Sequence, residues 1–182
     1  MTAAITATPA TPSGAVPLTG ATSGSESGTT GPGSISADDL LALPTRQQRT
    51  KWVVVVDRDL PIGLIANAAA CLSASIGRQR PDLLGPATAD ASGLEHQPLP
   101  FIGCSILGAD AETVHRVRTK AMTRPALLVV DMPQLAQRAT AYSEYQATMA
   151  ATPHEELTYY AVGLVGPRNQ IDKVVGGLTL LR

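Results

Sequence analysis

Apolar and polar positions fall into blocks along this chain, and the first clear block opens at Lys51. Trp52-Val53-Val54-Val55-Val56 is an unbroken, β-branched apolar run, which suits a strand buried on both faces. Pro61 stands where a helix begins. Ile62, Ile65, Ala69, Leu72 and Ile76 then recur at steps of three and four, so one apolar stripe folds back onto that strand. The pattern next predicts a strand at Phe101–Leu107 and a helix capped by Asp110, with Val114, Val117, Ala121 and Met122 inward. Arg116, Arg118, Lys120 and Arg124 are its solvated face.

Pro125 stops that helix, and Ala126–Val130 reads as a third strand closed by Asp131. Leu135, Ala139, Tyr142, Gln146 and Met149 mark a further helix ended by Thr152-Pro153, and Thr158–Val165 a further strand. Gly166-Pro167 reads as a turn into a short helix through Ile171, Val174 and Val175. Gly176-Gly177 releases it into a last strand, Leu178–Leu181, expected antiparallel at an edge. This alternation predicts an α/β three-layer sandwich with a mixed, mostly parallel sheet of four to five strands.

Three regions follow. Residues 1–36 are Thr, Ser, Gly, Pro and Ala with few large apolar side chains, a composition expected to remain a disordered tail. Residues 37–49 carry Ala37, Leu40, Leu41 and Leu43 behind Ser36, a capped helical turn before Pro44 that reads as a linker lying on its own domain or a segment docking to another protein. Residues 50–182 are the domain, within which Arg78–Pro100 is a long connection rich in Pro, Gly, Asp and Ser.

Composition narrows the function classes. With 182 residues and 44% hydrophobic side chains the chain can bury one ordinary core. A net charge of -1 with no basic stripe argues against general nucleic-acid binding. The apolar stretch Ile62–Ile76 is interrupted by Asn67, Ser73 and Ser75 and is too short for a membrane span. No Lys or Arg precedes Arg46 and no sustained apolar segment follows Met1, so no secretory signal is expected. Cys71 and Cys104 both fall in predicted core elements, and a reduced, cytoplasmic setting is the expectation.

The residues also carry a resemblance. Lys51-Trp-Val-Val-Val-Val-Asp57-Arg58-Asp59-Leu60, then Gly63, Ala68-Ala69 and Cys71, resembles the opening of peptidyl-tRNA hydrolase II enzymes. Gly163-Leu-Val-Gly166-Pro167 and Ile171-Asp172-Lys-Val174-Val-Gly176-Gly-Leu178-Thr-Leu180-Leu181 resembles their close. The lysines, Gln and His of that family's first helix are absent, its Asp-Ala-Gly-Arg-Thr stretch is here Asp131-Met132-Pro133, and the pattern is more similar to the superfamily's uncharacterised bacterial branch, a domain of unknown function. The resemblance implies the fold, and it implies that Asp131 matches an active-site Asp.

Ligands of α/β sheets gather beyond the carboxyl ends of strands. That selects Asp57, Arg58 and Asp59 after the first strand, Ser105 and Gly108 near the end of the second, Asp131 after the third, and Arg168 and Asn169 after the fourth. Asp131 is the candidate catalytic residue, as a base or water-orienting carboxylate, and equally a helix cap with Gln134 three residues on. Asp57, Arg58, Asp59, Ser105, Arg168 and Asn169 are the candidate ligand contacts. Cys104 with His115 is a weak nucleophile pair, His96, His115 and His154 lack zinc-site spacing, and no metal or cofactor is expected. Tyr142, Tyr145, Tyr159 and Tyr160 could line a pocket for a flat ligand or pack in core and interface. The expected role is a small-ligand-binding or protein-interaction module; the alternative is a hydrolase or transferase acting on an acyl ester or amide around Asp131. The expected partners are a small molecule and further copies of the chain, as a homodimer or other homo-oligomer.

Overall fold

Pairing of the Trp52–Val56 run on both sides sets the architecture. The computed structural model describes residues 36–182, so the expected tail lies, apart from Ser36, outside the described residues. Helix α1 (Ala37–Ala42) is capped by the Ser36 hydroxyl, which accepts from the Asp39 amide. Gln48, 3% exposed, donates from Nε2 to the carbonyls of Leu40 and Leu43, which folds the 37–49 segment on itself, and the Gln48 and Thr45 carbonyls accept from Arg168. Strand β1 (Thr50–Asp57) follows, then α2 (Ile62–Gln79). The expected stripe of α2 holds at Ile65, Leu72 and Ile76, with Ala68 buried in place of Ala69. Ile65, Ala68, Leu72 and Ile76 are buried, and Ile62, at the start of the helix, is 76% exposed.

The long connection carries a 3-10 turn at Pro81–Leu83 and a small hairpin, β2 (Thr88–Ala89) with β3 (Glu95–His96). Phe101 still belongs to that connection, donating its amide to the Leu83 carbonyl, so β4 (Cys104–Ala109) starts later than expected. Helix α3 (Ala111–Met122) is capped by Asp110, whose carboxylate accepts from the Thr113 amide at 2.7 Å. Val114, Val117 and Ala121 face inward as expected, while Met122 is 56% exposed. After Pro125 a turn closes Leu127 onto the Arg124 carbonyl, which delays β5 to Leu128–Pro133.

The helix expected over residues 135–149 is two helices, α4 (Gln134–Arg138) and α5 (Tyr142–Ala151). Glu144 explains the break: its Oε2 accepts both the Thr140 amide and the Thr140 hydroxyl at 2.9 Å, satisfying groups at the second helix start. Strand β6 (Tyr159–Pro167), α6 (Arg168–Val175) and β7 (Thr179–Leu180) complete the chain. Gly177, at φ 86°, turns it from α6 toward β7 in a conformation side chains rarely adopt.

The three-layer sandwich is as expected, with a five-stranded mixed sheet in the order β5-β6-β1-β4-β7. Its parallel share is smaller than the alternation implies. Among the described residues only β1 and β4 pair in parallel, while β6 runs antiparallel to β1 and to β5, and β7 antiparallel to β4. β1, β4 and β5 do point the same way, as strand-helix-strand connections require, but β6 inserts between β1 and β5. β7 sits at the edge, antiparallel, as the sequence predicts. Val53 and Val55 face the layer of α3 and α6, while Val54 and Val56 face α2. Among the described residues no helix is long and apolar enough to cross a membrane.

Candidate functional site

The carboxyl ends of β1 and β4 bring part of the expected site together. Asp57 is 8% exposed and accepts the Asp59 amide at 3.1 Å, a tight turn that leaves Arg58 pointing toward Asp110 at 4.0 Å. Hydrogen bonds from Thr113, and then the nearby Arg58 charge, hold Asp110 below the usual carboxylate range. Arg58, Asp59 and Gly108 line a shallow cleft with Thr179, Leu180, Leu181 and Arg182.

Three candidates lie elsewhere. Ser105 is the second residue of β4, in register with Val53, because the strand begins at Cys104 and not at Phe101. Arg168 and Asn169 follow β6, whose Pro167 pairs with Thr50 at the opposite end of β1. The antiparallel insertion of β6 reverses where its carboxyl end falls. Arg168 there is a structural tie, donating from Nε to the Gln48 carbonyl at 2.8 Å and from a second nitrogen to the Thr45 carbonyl.

Asp131 is a residue of β5, paired with Val162, and not the cap of the following helix; Pro133 occupies that position. Its Oδ2 accepts from Arg118 Nε at 3.0 Å, with side-chain exposures of 24% and 21%. The Arg118 guanidinium lies 5.2 Å from the centre of the buried Tyr159 ring. His115 meets the same ring at 5.6 Å, and His154 stacks on His115 at 5.4 Å. The carboxylate is thus held by a cation between two packed elements. Asp131→Asn is expected to destabilise the domain by about 1 kcal/mol, since the pair is half-buried and charge-assisted; urea unfolding measures it, and an unchanged midpoint would show that the pair contributes nothing.

An apolar recess lies beside β5 on the side of α2. It measures about 310 Å³ and is lined by Asn67 and Cys71 of α2, Met132 of β5, Ala136 and Gln137 of α4, Ala139, Thr140 and Ala141 of the break, and Tyr142 and Tyr145 of α5. None of these side chains carries a formal charge. Tyr142 and Tyr145 meet edge to face at 5.5 Å, and desolvation, then the Asp131 charge, raises the Tyr145 pKa. Gln137 Nε2 is buried and without a hydrogen-bond partner. Tyr142 and Tyr145 therefore serve the pocket, whereas Tyr159 and Tyr160 belong to the core on its two opposite faces.

The cysteines depart from the expectation of burial, since both are exposed. Cys71 falls on the outer side of α2 because Ile65, Ala68, Leu72 and Ile76 fix its inner side. Cys104 is exposed as a whole residue, yet desolvation pushes its thiol up to about 12, so it offers a thiol and not a thiolate nucleophile. Among the described residues no group of three or more His, Cys, Asp or Glu is placed to hold a metal ion. One sequence signal did mark the pocket. From Ile62 to Gly77 α2 bears no charge, although Ala66, Asn67, Ala70, Cys71 and Ala74 are exposed.

Fold and recess together define an α/β sandwich on a five-stranded sheet, with a side pocket between α2 and a helical excursion after an edge strand. Residues 50–182 match the family model described as "Protein of unknown function (DUF2000)", and the chain belongs to that family. No curated protein matches it. Its fold is similar to the solved structure of a protein of unknown function from Agrobacterium tumefaciens, with a TM-score of 0.67 and 18% identity over 72% of this chain and 97% of that one. At that identity the likeness shows the fold alone.

Proposed function

We propose that this domain binds a small, uncharged and largely apolar molecule in the recess between α2, α4 and α5. The observation that carries the reading is the lining itself: an apolar concavity of about 310 Å³ with two tyrosines on one wall and no charged side chain on any. The volume is at the small end for ligand sites, enough for a one- or two-ring compound. Polar groups at its wall, the Asn67 amide and the tyrosine hydroxyls, offer orientation rather than catalysis. Asp131, the expected base, is engaged by Arg118 of α3 and is not part of the lining, though its charge reaches Tyr145. The resemblance to peptidyl-tRNA hydrolase II supports a shared frame from β1 to β7, without that family's lysines, Gln and His.

Indole is a suitable probe, being flat, neutral and of matching size. Titrated into the 15N-labelled full-length protein, it is expected to shift amide resonances of Asn67, Cys71, Ala139, Thr140 and Tyr145, with millimolar affinity. Cys71→Trp, at an exposed position, fills the recess from α2 and abolishes those shifts. Shifts confined to other surfaces, or none at saturation of indole, would overturn the reading.

A further inference from the structure

We infer that a second recess, at the start of β5, binds a small carboxylate carried on an apolar chain or ring, with Arg124 as its cationic anchor. It shares no lining residue with the recess between α2, α4 and α5, and does not depend on what that one binds. The sequence places Arg124 on the solvated face of α3. In the fold it follows the end of that helix, in a turn closed by its own amide on the Ala121 carbonyl and by the Leu127 amide on its carbonyl, and the residue is half-buried.

Its guanidinium is incompletely satisfied. Nη1 donates to Gln170 Oε1 of α6 at 2.6 Å, while Nε is buried without a hydrogen-bond partner. Among the described residues no carboxylate lies within ion-pair range of it. The other half-buried arginines differ. Arg80 holds Asp82 through Nε at 2.8 Å and Nη2 at 2.7 Å, Arg118 meets Asp131 through Nε at 3.0 Å, and Arg168 meets the Gln48 carbonyl through Nε at 2.8 Å. Each uses the edge of the guanidinium that Arg124 leaves empty. A cation drawn partly out of water without an anion is costly, and Nε with Nη2 forms the parallel pair of donors that a carboxylate accepts. Gln170 pins the opposite nitrogen and so holds that edge in place.

The recess supplies the apolar half of the recognition. Arg124 lines a concavity of about 320 Å³ with Met122, Pro125, Leu127, Leu128 and Val129, and none of the side chains around it is acidic. Met122, which the pattern of α3 turns inward, is instead 56% exposed and forms part of this wall. The volume is at the small end for ligand sites and admits one ring or a short chain behind the carboxylate. A charged head on the guanidinium and an apolar body on Met122 and Leu128 is the ligand that this lining complements.

Benzoate is the probe, and benzamide its neutral counterpart of the same shape. Titrated into the 15N-labelled full-length protein at constant ionic strength, benzoate is expected to bind with millimolar affinity. It shifts the amides of Met122, Arg124, Leu127, Leu128 and Val129 and moves the Arg124 Nε–Hε resonance downfield, the mark of a new hydrogen bond at that nitrogen. Benzamide, without the charge, is expected to bind on the order of 10-fold more weakly. Arg124→Gln is expected to lose the benzoate shifts, and Arg124→Lys, which keeps the charge but not the paired donors, to keep them at lower affinity. Equal binding of benzoate and benzamide, a stationary Arg124 Nε–Hε resonance, or benzoate shifts confined to other surfaces would each overturn the inference in the wild type alone, whatever the variants do to folding. Benzoate shifts that persist in a folded Arg124→Gln protein would overturn it as well.

Discussion

Replacing Ile76 by alanine is expected to lower the unfolding free energy by about 2–5 kcal/mol, the range for truncating a fully buried aliphatic side chain into a cavity. Ile76 is 0% exposed and belongs with Trp52, Leu83, Ile102 and Val165 to the cluster that seals one end of α2 against the sheet. The site cannot collapse easily, because β1 and β6 behind it are locked in register and Leu83 is held by the connection. Urea unfolding followed by fluorescence of Trp52, the single tryptophan, reports the loss directly, with an unchanged slope if the denatured state is unaffected. The same side chain sets what Gly163 must be. A Cβ on Gly163 would lie 2.8 Å from Ile76 Cδ1, so Gly163→Ala is expected to cost less in an Ile76→Val background, where that methyl is gone. Strictly additive losses would show that β6 and α2 adjust independently there.

Gly166→Ala is expected to destabilise by about 1–3 kcal/mol through overpacking. The sequence invites reading Gly166-Pro167 as a turn, but Gly166 lies in β6 opposite Lys51 and the chain crossing from α3 to β5 presses on it. A Cβ would sit 2.6 Å from Leu127 Cδ2 and 2.8 Å from the Ala126 carbonyl oxygen. At Gly163 the obstructing atom is the tip of a side chain; here one is backbone, in a turn already fixed by the Leu127 amide on the Arg124 carbonyl. Loss of stability near zero in thermal or urea unfolding would mean that the 124–127 turn yields, and that the close approach is tolerance and not requirement.

Local order, the layered α/β class and the antiparallel edge strand β7 were legible in the sequence, and the order of the inner strands was not. The β-branched run of β1, the Asp110 cap and the Val114, Val117, Ala121 stripe emerge because each depends on neighbours within one or two turns. Asp131 was misplaced because strand and cap compete for the same residues. Pairing with β6 carries β5 on to Pro133, past the apolar run at Val130. The break at 139–141 contains neither Gly nor Pro, yet Thr140 and Glu144 at a spacing of four were its available signal. The pocket was visible only obliquely, as the uncharged but exposed side of α2 beside Tyr142 and Tyr145. The insertion of β6 between β1 and β5 leaves no local trace. It scattered Arg168 and Asn169 away from Asp57, Arg58 and Asp59, and it decided which predicted residues could meet.

That insertion also sets the order of assembly. β6 follows β1, β4 and β5 along the chain, yet among the described residues it is the sole link between β5 and the rest of the sheet, pairing Thr50 with Pro167 and Leu128 with Val165. Until β6 pairs, β1 and β5 keep their facing hydrogen-bonding edges open. Closure therefore waits on contacts of high sequence separation, which slows folding and leaves the valines of β1 exposed to wrong partners meanwhile. Without β6, β5 is left unjoined from β1 and β4, so removing that strand leaves two fragments of a sheet rather than a smaller domain.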